Sequence, residues 1–190
     1  MVFFLRKLFP LLHRGIFLRS LSLVLVKRAY IVACALMFFS VPAHAQLFFV
    51  GPFSIVEVGT GFYDARRHGP SSYREVKVIS PEAFRGFDTF AGITGTSTED
   101  AYVFFGVSSN SALPEPFLMS FSFAAGLYTS GLGIDLGHPV EFRSSIRAGW
   151  QFHEGHSLAI EVSHLSNGHL AESNPGLETV GVVYSFPARL

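Results

Sequence analysis

The stretch VEFRSSIRAGWQF, residues 140–152, alternates between two kinds of side chain. Phe142, Ser144, Ile146, Ala148, Trp150 and Phe152 share one face of an extended chain; Glu141, Arg143, Ser145, Arg147, Gly149 and Gln151 share the other. Successive side chains of a strand point to opposite faces, so a period of two predicts a β-strand. What each face meets decides the fold. A soluble sandwich or lipocalin buries its apolar face and wets the polar one. A membrane barrel turns the apolar face to lipid and encloses the polar and small residues.

The same pattern extends outward. Phe117, Met119, Phe121, Phe123, Ala125 and Leu127 face one way, with Ser120, Ser122, Ala124 and Gly126 opposite. Gly, Pro, Ser and Asn clusters punctuate further alternating runs, and helical periodicity is absent. Eight strands are predicted, over 53–63, 73–81, 87–96, 100–109, 117–128, 140–152, 157–167 and 177–186. No apolar run after residue 46 approaches the ~18 residues of a membrane helix. The apolar faces carry large aromatics, and the opposite faces carry Arg, Glu, Ser and Gly. That is the inverted pattern of a barrel in lipid. A small eight-stranded barrel is filled by its own side chains, which gives Arg143, Arg147, Glu141 and Glu161 an interior in which to pair. The expected fold is an all-β, eight-stranded antiparallel transmembrane β-barrel formed by residues 46–190 as one domain, in the outer membrane of a Gram-negative envelope.

The N-terminal 45 residues read differently. Lys27 and Arg28 precede an apolar run from Ala29 to Val41, followed by Ala43-His44-Ala45. This is the charged, apolar and small-residue order of a secretory signal peptide cleaved after Ala45. Residues 1–26 are apolar and basic without turn chemistry, and are a long leader extension or a mis-assigned start. The one cysteine, Cys34, lies inside this leader, so residues 46–190 can use neither a disulfide nor a thiol nucleophile. With 14 basic and 14 acidic residues the formal net charge is zero, which argues against nucleic acid as a partner.

One hairpin carries chemistry. In the seventh strand Leu158, Ile160, Val162, His164 and Ser166 share a face; in the eighth Glu178, Val180, Val182, Tyr184 and Phe186 do. By the barrel argument these faces meet lipid, where a polar side chain is costly. A register that sets His164 opposite Glu178 leaves a turn-rich connection over 167–175. Opposed residues then have Cβ atoms ~5 Å apart, and same-face neighbours along a strand are ~7 Å apart. His164 therefore sits between Ser166 and Glu178. That suits a triad in which a serine attacks, an imidazole takes its proton and a carboxylate orients the imidazole. With both termini periplasmic, the end of the seventh strand lies near the external leaflet, and an ester-linked acyl chain there is the natural substrate.

At these residues the sequence resembles the outer-membrane lipid A 3-O-deacylases, the PagL family. The likeness is carried by HLSN (164–167) and NPGLETVGVVY (174–184). The resemblance implies Ser–His–Glu chemistry on the outside of an eight-stranded barrel, hydrolysing the 3-position acyl ester of lipid A. Carried over by position, Ser166 is the nucleophile, His164 the base and Glu178 the acid. Asn174 and Asn167 correspond to oxyanion-stabilising positions, whose amide donors suit a tetrahedral intermediate. No cofactor and no metal are implied; the partner is lipid A or lipopolysaccharide of the outer leaflet. The sequence departs from the family pattern at SNGH, where His169 replaces a small residue.

Other signals are weaker. HEGH (153–156) has the residue types of a metal site but falls in the turn before the seventh strand, far from His164. GITGTSTED (92–100) lacks the lysine of a phosphate loop and reads as a hairpin. In YDARRHGPSSYR (63–74), Arg66 and Arg67 sit in a polar loop at the expected outer end. A non-catalytic structural or adhesive barrel is the alternative function, and a soluble barrel holding an apolar ligand a third.

Overall fold

A computed structural model describes residues 54–64, 71–111 and 113–188. The leader expected over 1–45, Arg66 and Arg67 lie outside the described residues. Eight strands follow in order: β1 (Ile55–Tyr63), β2 (Ser71–Phe84), β3 (Phe87–Thr96), β4 (Ala101–Asn110), β5 (Phe117–Thr129), β6 (Val140–Gln151), β7 (Ser157–Ser166) and β8 (Leu177–Pro187). Each pairs antiparallel with its neighbour in sequence, and β1 pairs with β8 from Ile55–Pro187 to Tyr63–Thr179. The sheet therefore closes on itself and has no free edge.

The strands form where the alternation predicts them. The largest departure is β2, which continues through Pro81 to Phe84. Its register against β3 shifts between Ser80 and Phe84, and Glu82 takes φ 51°. A proline without an N–H is tolerated at such an irregularity, so the strand continues beyond the expected end at Pro81 to Phe84.

The two faces have opposite chemistry. Outside, Phe62, Phe117, Phe123, Ile146, Trp150, Ile160, Val162 and Val182 are exposed. Inside, Glu57, Glu75, Lys77, Arg143 and Glu161 are buried. Lys77 Nζ lies 3.0 Å from both Glu57 Oε2 and Glu161 Oε2. Arg143 bridges Glu75 and Glu161, the latter at 2.5 Å, and Arg147 pairs with Glu57. Ser185 Oγ donates to Glu57 and Thr94 Oγ1 to Glu75, both at 2.7 Å. Three carboxylates and three cations thus fill the middle of the barrel as one paired network. The expected interior pairing of Glu141 is not made. Glu141 is buried, yet neither carboxylate oxygen has a hydrogen-bond partner among the described residues. It sits next to the end of β6, among Tyr102 and the layer above the ions. That layer is aromatic and aliphatic: Tyr63, Tyr73, Tyr102, Phe104, Tyr128, Leu136, Leu165 and Leu177.

The connections over 130–139 and 167–176 open from one end of the barrel, and the turns at 85–86 and 152–156 from the other. Longer loops mark the external end of a membrane barrel and short turns the periplasmic end. The carboxyl end of β7 is therefore at the external side.

Candidate active site

β7 and β8 pair with His164 opposite Glu178, the register expected from the sequence. The interior residues of the hairpin hold this register. Leu165 and Leu177 are fully buried, and Ser163 Oγ meets Thr179 Oγ1 at 2.5 Å. A one-residue slip would push these inward-facing residues into lipid. On the outer face His164 Nδ1 lies 3.1 Å from Glu178 Oε1. The imidazole is half exposed, whereas Glu178 is largely covered.

With Nδ1 turned to Glu178, Nε2 is the nitrogen left to exchange a proton with a nucleophile. Two serines are near. Ser166 is two residues along β7 on the same face, partly exposed. Ser144, exposed on β6, is the direct cross-strand partner of His164 on the side away from Glu178. The sequence reading did not single out Ser144, because only the β6–β7 register reveals it. The ring's orientation discriminates between them. One step past the last ladder pair, Leu165–Leu177, the register sets Gly176 across from Ser166. A Cβ added to Gly176 would lie 2.9 Å from His164 Cε1 and 3.5 Å from Nε2. The Cε1–Nε2 edge is thus turned along the strand toward the Ser166 level. No side-chain hydrogen bond joins Ser166 to His164 among the described residues. Such bonds are often loose until substrate binds. Phe142 lies across from Ser166 and stacks on Phe123, with centroids 6.0 Å apart, forming an apolar wall beside the hydroxyl.

The 167–176 loop positions the two asparagines differently. Asn167 is fully buried. Its Nδ2 donates to Leu136 O at 2.9 Å and Ser173 O at 2.7 Å, and its Oδ1 accepts from His169 N at 2.9 Å. Both side-chain hydrogens are committed, so Asn167 has no amide donor to offer an oxyanion. Its backbone N–H donates to Asn174 Oδ1 at 3.1 Å. That bond fixes which way the Asn174 amide points and leaves Asn174 Nδ2 as the donor group. Gly168 and His169 both adopt left-handed backbone, φ 63° and 65°. The exposed His169 follows a conformation that histidine reaches more readily than most residues.

The remaining candidates lie elsewhere. His156 Nδ1 meets Tyr184 Oη at 2.7 Å at the opposite end of the hairpin, and among the described residues no group of three or more His, Cys, Asp or Glu side chains is arranged to hold a metal. Asp100, in the 92–100 stretch, is bonded by Thr98 Oγ1, Thr96 Oγ1 and the Gly131 and Gly133 amides, an internal tie between two loops.

A closed eight-stranded barrel with ions inside, apolar residues outside and a carboxylate–imidazole pair beside a serine on its lipid face defines a membrane-embedded barrel with hydrolase-type side chains. The family model described as lipid A 3-O-deacylase (PagL) matches residues 54–187, the whole barrel. The chain belongs to this family of lipid A deacylases and is an outer-membrane β-barrel. A crystal structure described as that of the outer membrane enzyme PagL shares the fold. It is 17% identical, with TM-score 0.54, over 70% of this chain and 99% of that one. No curated protein matches the chain.

Proposed function

We propose that this protein hydrolyses the ester-linked 3-position hydroxyacyl chain of lipid A in the external leaflet, with Ser166, His164 and Glu178 as its triad. The observation that carries this reading is the Glu178–His164 pair, 3.1 Å apart on the lipid-facing surface, its free ring edge turned toward the level of Ser166. Ser166 Oγ attacks the ester carbonyl carbon while His164 Nε2 takes the hydroxyl proton. Glu178 holds the Nδ1 tautomer and offsets the imidazolium charge. Asn174 Nδ2 donates to the oxyanion. The tetrahedral intermediate collapses, the C–O bond to the sugar breaks, and the imidazolium protonates the departing sugar oxygen. Water, activated by His164, then releases the hydroxy fatty acid and restores Ser166. Asn167 acts in this reading as the anchor that orients Asn174 rather than as a second donor. Residues 1–45 are read as the secretion leader, with 46–190 forming the barrel; the Ala43-His44-Ala45 site supports this.

The test is mass spectrometry of lipid A from cells making wild-type protein, Ser166→Ala or Ser144→Ala, each confirmed as folded in the outer membrane. The expected result is loss of one hydroxyacyl chain with wild type and Ser144→Ala, and none with Ser166→Ala. Activity lost in Ser144→Ala but kept in Ser166→Ala would reassign the nucleophile. Unchanged lipid A with the wild type would leave a barrel without this activity.

A further inference from the structure

Resting on that reading of the site, we propose that Gly176 is a positioning residue for the catalytic histidine: the absence of a Cβ there leaves the space that the Cε1–Nε2 edge of the His164 imidazole occupies. Two independent features require glycine here. The backbone at Gly176 has φ 59°, the left-handed region that residues with a Cβ enter at a cost. Separately, a Cβ there would stand 2.9 Å from His164 Cε1, inside contact distance, and 3.5 Å from Nε2. The first feature concerns the loop alone; the second concerns the ring.

The ring is sensitive to what fills that space. His164 projects from the outer face with half its side chain exposed, and the Glu178 bond constrains only Nδ1. One hydrogen bond leaves the imidazole free to swing about it. On the far side the neighbour is Ser144, too small to block that swing. The Cε1–Nε2 edge lies on the Gly176 side, where a Cβ would meet it. It is buried, held between Asn174, whose Oδ1 accepts from Asn167 N, and Leu177, which is fully buried. Glu178 sets one edge of the ring and Gly176 the adjacent edge, and together they direct Nε2 along β7. A Cβ at 176 would press on that edge first; beyond the ring, the nearest atom is the Leu165 carbonyl oxygen at 3.4 Å.

The experiment compares Gly176→Ala with Gly86→Ala. Gly86 has φ 84° and nothing within 4 Å of an added Cβ. It therefore carries the backbone strain without the ring contact. Full-length proteins are folded in detergent micelles, the folded form is scored by its gel mobility before and after boiling, and kcat and KM are measured on purified lipid A. Wild type and Ser166→Ala are run alongside. Gly176→Ala is expected to lose about 100-fold in kcat, the scale of a small misplacement of a reacting group, with KM within twofold. Gly86→Ala should match wild type. Gly176→Asn, which tolerates positive φ better but adds the same Cβ, should lose kcat likewise. Equal kcat for Gly176→Ala and Gly86→Ala would overturn the proposal while leaving the triad standing. So would failure of both Gly176 variants to fold, which would make Gly176 a folding determinant. An inactive wild type would instead sink the reading of the site itself.

Discussion

His164 has three neighbours on the outer face. Glu178 Oε1 lies 3.1 Å from its Nδ1, Gly176 lies on the side of its Cε1–Nε2 edge, and Ser144 is its partner across the β6–β7 ladder. Asn174 has two distinct ends. Its Oδ1 accepts from Asn167 N, and its Nδ2 is the donor that the proposed reading aims at the oxyanion. These roles separate by substitution. Asn174→Asp keeps the acceptor and removes the donor; Asn174→Ala removes both. If Nδ2 stabilises the oxyanion, both variants lose about 10²–10³-fold in kcat, the range for one such donor. Only Asn174→Ala should also loosen the loop, detected as faster proteolytic nicking within 167–176. Near-normal kcat in Asn174→Asp would assign oxyanion stabilisation elsewhere.

At the scale of the element, the β7–β8 hairpin and its loop convert a strand pattern into a site. Asn167 is the loop's anchor, tying 167–176 to the Leu136 carbonyl of the neighbouring loop. Asn167→Ala leaves two carbonyl acceptors without their partner, at roughly 1–3 kcal/mol each where burial is complete. The expected outcome is a loop cut more readily by protease and a fall in kcat through a displaced Asn174. An uncut loop with full activity would show that Asn167 is dispensable. The strands were legible in the sequence because alternation reports burial one residue at a time. Alternation fixed the faces of β7 and β8 but left the register open to a slip by two; pairing His164 with Glu178 across a turn-rich 167–175 connection gave the register that the ladder has. What stayed hidden depended on partners distant in sequence. Ser144 beside His164 needs the β6–β7 register; the commitment of Asn167 needs Leu136; the closeness of Gly176 to the His164 ring needs the folded loop. The continuation of β2 from Pro81 to Phe84 was not legible either, since an irregularity in the ladder leaves no mark in the alternation.

At the scale of the molecule, the ions inside and the triad outside are two sides of the same strands. Arg143 is the cross-strand partner of Leu165, next to His164, and its guanidinium joins Glu75 of β2 to Glu161 of β7. The interior network therefore clamps opposite walls of the barrel at the level of the strands that carry the site. The sequence named Arg143, Arg147 and Glu161 as inward-facing, but Glu57, Glu75 and Lys77 enter only when the barrel closes and brings β1 and β2 to face β6 and β7. Removing one member of such a buried set is worse than never having built it, because its partners remain charged in a low-dielectric interior. Arg143→Ala leaves Glu75 and Glu161 with Lys77 as their shared cation. The expected cost is about 3–5 kcal/mol, read as a lower urea midpoint for loss of the folded gel band. Activity per folded molecule should survive in the absence of denaturant, because the outer-face register rests on the ladder and on Leu165 and Leu177 rather than on the guanidinium. An unchanged midpoint would mean that water reaches these carboxylates and solvates them. A lowered midpoint together with lost activity in the folded fraction would mean that the interior ions set the geometry of the outer face, and that the barrel wall transmits strain from its polar filling to the triad.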